Sequence, residues 1–185
     1  MKMGCTLNLG NQNTKMKRTP HIAAILATLL ALTKTVAAQT APSPKIFEPA
    51  QVQAVYRVLL DRDSLLLESI LDVIKQKKIE DGYVSISAGS VHTCTYHYVT
   101  SPAPKPVNAF KTVKGAFEIL NAGGIIAAGE PHIHITLSSP EGAFGGHLEN
   151  GCRVLYLAEI TILQFRGPAL TRANNPNGVA LLKPK

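Results

Sequence analysis

Residues 129–152, GEPHIHITLSSPEGAFGGHLENGC, read as two extended segments joined by a turn. In a strand, residues i and i+2 share a face about 6–7 Å apart. His132 and His134 therefore leave one side, while Ile133 and Ile135 point to the core. Ser138-Ser139-Pro140-Glu141-Gly142 can bring the chain back antiparallel, and Gly145-Gly146 allow close backbone approach just before His147. A third imidazole could so join the first two. Three neutral histidines with a fourth position left open suit Zn²⁺ or another divalent metal. The competing reading is three ordinary hydrogen-bonded strand histidines, because H-x-H is common by chance.

Working outward, residues 153–165, RVLYLAEITILQF, are apolar on both faces, as a central strand would be. Further strands are expected at 83–88, 90–99, 115–120, 123–127 and 131–138, with Gly82, Gly89 and Gly123-Gly124 marking turns or bulges. Residues 52–60 alternate as another strand. Asp61-Arg62-Asp63-Ser64 supplies turn and N-cap chemistry for a helix over 64–78, whose apolar stripe is Leu66, Ile70, Val73 and Ile74. Lys75, Lys77 and Lys78 sit at its carboxyl end, where cations suit the macrodipole. The fold class is α+β: a single domain over 51–166 with a mostly antiparallel sheet and one main helix. Residues 39–50 read as a linker. Residues 167–185, with Pro168, Asn174-Asn175-Pro176 and Gly178, read as a flexible tail. His92 and His97 fall on opposite faces of their strand and are weaker site candidates.

The first 38 residues have the three parts of a secretory signal, with a true start at Met16. Met16-Lys17-Arg18 is basic, residues 22–32 (IAAILATLLAL) are apolar, and Val36-Ala37-Ala38 offers small residues for cleavage. The apolar run falls short of the about 20 residues needed to span a bilayer; a retained anchor is the alternative. An exported, periplasmic or secreted protein without a membrane span is therefore expected. The leader carries five of the 19 basic residues and none of the 12 acidic ones, leaving a net charge of +2 instead of +7. That balance argues against nucleic acid as a partner, since duplex binding needs several phosphates neutralised on one face. Cys94 and Cys152 could pair in an oxidising compartment; two buried thiols are the alternative.

Several ordered motifs resemble the plants-and-prokaryotes-conserved (PPC) domain over residues 52–165. They are Gly115-Ala116-Phe117-Glu118-Ile119-Leu120, then Pro131-His132-Ile133-His134-Ile135, then Gly145-Gly146-His147-Leu148, and finally Gly151 with Ala158-Glu159-Ile160. The resemblance implies a compact α+β unit assembled as a homotrimer, in a family often described as DNA-binding. The plant members' AT-hook is missing from this sequence, because Arg166-Gly167-Pro168 lacks the second arginine of R-G-R-P. A fainter similarity links His132, His134 and His147 to the zinc site of acetolactate decarboxylase, without carrying that activity over. Glu118 and Glu149 lie inside the matched motifs and suit hydrogen bonding to an imidazole N–H. The function expected is a metal-binding oligomeric module for a small ligand or partner, without strong catalysis. A metal-dependent lyase or hydrolase on the same histidines, and a DNA-binding protein, are the alternatives.

Overall fold

Alternation in the sequence becomes a ladder with one buried side. The structure, a computed structural model, describes residues 41–185; the leader expected at 1–38 lies outside the described residues. Residues 41–50, within the expected linker, carry neither helix nor strand. The remaining elements are β1 (Gln51–Asp61), α1 (Leu66–Lys77), β2 (Asp81–Val99), β3 (Asn108–Ala127), β4 (Glu130–Ser139), β5 (Gly142–Leu148), β6 (Arg153–Arg166), β7 (Leu170–Asn174) and β8 (Ala180–Pro184). Six of them form an antiparallel sheet in the order β1-β6-β2-β3-β4-β5. β5 also returns to β2, pairing Tyr96 with Leu148 and His97 with His147, and so curls that end of the sheet closed. This is the α+β domain with one helix that the sequence implies.

The core lies between α1 and the inner face of the sheet. Leu66, Ile70 and Ile74, spaced four apart on one stripe of α1, are buried. They meet a core that includes Val84, Ile86, Ile133, Ile135, Leu137, Ile160 and Ile162. Each such side chain stabilises the fold by about 1.5–3 kcal/mol through removal of apolar surface from water. Among the described residues no helix is long and apolar enough to cross a membrane.

Five expectations need correction. The helix begins at Leu66 and not at Ser64, and Leu65 caps it without a side-chain bond. Its Leu66 N–H is instead satisfied by the Cys152 carbonyl at 2.8 Å, so tertiary contact replaces the local cap. Segments 83–88 and 90–99 are one continuous strand, because Gly89 lies at a bulge and not at a turn. Likewise 115–120 and 123–127 merge into β3, which begins earlier, at Asn108. β6 is an interior strand but only one of its faces is buried: Val154, Ala158, Ile160 and Ile162 are inside, while Leu157 is 40% exposed. Residues 167–185, expected as a flexible tail, contain the β7–β8 hairpin. Arg172 docks it by donating to the carbonyls of Glu130 and Ile125, both at 2.9 Å.

Candidate metal centre

Register places the histidines. Running across the sheet, Arg57, Thr161, Ser85, Gly123, His134, His147 and His97 face one another as successive partners. His132 stands two residues from His134 on β4, opposite Ile125. The two glycines before His147 permit this crowding. A Cβ on Gly145 would run into the Ile135 carbonyl, and one on Gly146 into the His97 carbonyl. β5 can therefore be wedged between β4 and β2 only if both positions are glycine.

The result brings His132, His134 and His147 together. One ring nitrogen from each lies within 4.8 Å of the others. His132 Nε2 and His134 Nε2 are 3.2 Å apart, close to the about 3.3 Å separating two ligands of a tetrahedral zinc bound at about 2.0–2.1 Å. His132 and His134 are exposed, whereas His147 is half-buried. Burial is the main cause that lowers the His147 pKa to about 4, and the neighbouring His132 and His97 push the same way against the carboxylate of Glu149. Burial, followed by Arg172, His134 and His97, also lowers that of His132. Both shifts favour the neutral imidazole, which is the form that ligates a metal.

Glu149 does not reach the three histidines by hydrogen bond; its carboxylate holds His97 Nδ1 at 2.6 Å. The His97 ring stacks on His147 with centroids 4.5 Å apart and also meets Phe110 at 5.1 Å. His97, His147 and Glu149 form a second group whose ligand-capable atoms lie within 4.8 Å of one another. Alternation along β2 alone sets His97 apart from a site, whereas the β2–β5 pairing that recruits it joins distant segments. Glu118 is exposed on β3, in register with Ser90 and Ser138, and belongs to neither group. His92 bonds Asp63 at 2.9 Å, away from the cluster. Cys94 and Cys152 are joined as a disulfide, tying the loop after His147 to the strand that carries His97.

An α+β unit of this topology, with imidazoles on a β-ribbon, defines a recognisable class. Residues 47–166 match the Plants and Prokaryotes Conserved (PCC) domain, and the chain belongs to that family. A metal-containing protein from Archaeoglobus fulgidus is similar at 25% identity, covering 75% of this chain and 98% of its own, with a TM-score of 0.64. A plant- and prokaryote-conserved protein from Pyrococcus horikoshii shows 24% identity over 75% and 97% of the two chains, with a TM-score of 0.64. A protein from Bacteroides thetaiotaomicron, described as a candidate DNA-binding protein, shows 21% identity over 72% and 94%, with a TM-score of 0.63. No curated protein matches the chain.

Proposed function

We propose that this chain is an exported metal-binding module of the family, holding zinc or a similar divalent ion on His132, His134 and His147. The convergence of three imidazoles, two exposed and one half-buried, carries the reading. Their lowered proton affinity supports it, as does the similarity to a metal-containing archaeal relative. A three-histidine set leaves a coordination position for water or a small ligand. Export rests on the leader sequence and on the near-neutral charge of residues 39–185; both speak against DNA as the target. Assembly into a trimer is part of the proposal. Its support is the outward row Val55, Leu163 and Tyr83, where Val55 is 56% exposed, an apolar surface that a second copy would cover.

One observation favours a second reading, a metal-dependent hydrolase or lyase: the hydrogen-bonded His97–Glu149 pair stands against a ligand histidine. Elemental analysis of protein purified from its native compartment tests the main proposal. Wild type should carry about one metal per chain, and His132→Ala and His147→Ala should each lose most of it while keeping the circular dichroism of the parent. Wild-type protein free of stoichiometric metal would overturn the proposal.

A further inference from the structure

The β7–β8 hairpin lies beyond residues 47–166, so the family domain does not account for it. It lies against the sheet where the histidines emerge. Between them is an open cavity of about 430 Å³ lined by Gly124, Ile125, His132, Arg172, Leu181 and Leu182, together with Ala180. We infer that this cavity is a ligand site for a small monocarboxylate with an apolar body. The inference rests on the metal reading for one of its two anchors.

Charge and shape make the choice. Arg172 and Leu182 are register partners in the hairpin, so both side chains leave on the same face. The guanidinium has five N–H donors. One from Nη1 and one from Nη2 hold the Glu130 and Ile125 carbonyls, leaving three donors free of those two bonds. Those contacts also fix the cation in place, which lowers the entropy lost when an anion arrives. Arg172 and His132 line the same cavity, so a carboxylate held by Arg172 would lie in the space that a metal on the three histidines would also border. Ile125, Leu181 and Leu182 supply the wall for a hydrocarbon chain. Among the described residues Arg172 is the only Lys or Arg lining the cavity, and Glu130, whose backbone carbonyl it holds, is the neighbouring acid. One guanidinium with three remaining donors suits the two oxygens of a carboxylate, and it lacks the further basic side chains that a phosphate or other polyanion would use.

Calorimetric titration of the full chain with hexanoate, acetate and hexanamide tests this, with zinc content measured on the same samples. Zinc-loaded wild type should bind one hexanoate per chain, and acetate and hexanamide each about tenfold more weakly. Arg172→Met should weaken hexanoate about tenfold. Leu182→Ala, which leaves the docking arginine intact, should weaken it about threefold. Stoichiometric zinc without saturable hexanoate binding would overturn this inference and leave the metal reading standing. Hexanamide binding as tightly as hexanoate, or both variants binding like wild type, would overturn it too. Hexanoate binding that depends on Arg172 and Leu182 in protein that takes up no zinc would uphold the pocket and sink the metal reading.

Discussion

The two ends of the outer sheet face share a backbone and differ in what they display. At the β1–β6 end the outward positions mix aliphatic with polar side chains: Val55, Leu59 and Leu157 are 56%, 62% and 40% exposed, with Arg57 and Glu159 between them. At the β4–β5 end the same kind of position holds His132, His134 and His147. Inward positions are alike throughout, with Ile160 and Ile162 on β6 matched by Ile133 and Ile135 on β4. The inner half of each strand is thus committed to one core. Stability leaves the outer half free, so chemistry and association can be assigned to opposite ends of one sheet.

This contrast can be broken at several points. Gly146→Val should have the largest effect, because its side chain would meet the His97 carbonyl and force β5 off β2. A loss of about 3 kcal/mol is expected in urea unfolding, together with loss of bound zinc; a midpoint like that of wild type would show that the seam is not needed. At the β1–β6 end, Val55→Glu combined with Leu163→Glu should dissociate the proposed oligomer in analytical ultracentrifugation while zinc content stays unchanged. Loss of both together would mean that the two ends are not independent.

Acidity should act at the histidine end. His147 has its pKa lowered to about 4 from the ordinary 6.5, so the unfolded chain binds the extra proton first. The contribution of His147 to the stability of metal-free protein is then fully present above about pH 6.5 and declines as the pH falls toward 4. The melting temperature of His147→Gln, followed over the same range, should vary less than that of wild type. Equal slopes would remove this histidine from the account. The smallest effect belongs to Glu149→Gln, which alters the partner of His97 and leaves His132, His134 and His147 untouched. It should weaken zinc by less than about tenfold, and a complete loss of zinc would promote Glu149 to a ligand.

Much of this was legible in the sequence, for a physical reason. The alternation of Ile133, Ile135 and Leu137 with His132 and His134 fixes which side of β4 is wet, and the double glycine signals that a neighbouring backbone comes close. The role of His97 was not legible, since it depends on pairing between segments far apart in the chain and no local pattern encodes register. The helix start was misjudged because Ser64 looks like a cap, while a carbonyl from the far side of the domain takes that role. The tail was misjudged because its proline and asparagines mark the turn of a hairpin as readily as a loose end; Asn175 Oδ1 accepts from the Asn177 and Val179 N–H groups there.

The Cys152 carbonyl that receives the first amide of α1 has a consequence for how the chain acquires its shape. A helix of this length is marginal by itself in water, and here its opening turn is completed by a residue just ahead of the last long strand. During synthesis the helical segment leaves the ribosome well before its partner exists. Its amino end can therefore be secured only once nearly the entire domain has emerged, which makes assembly a late event dominated by distant contacts.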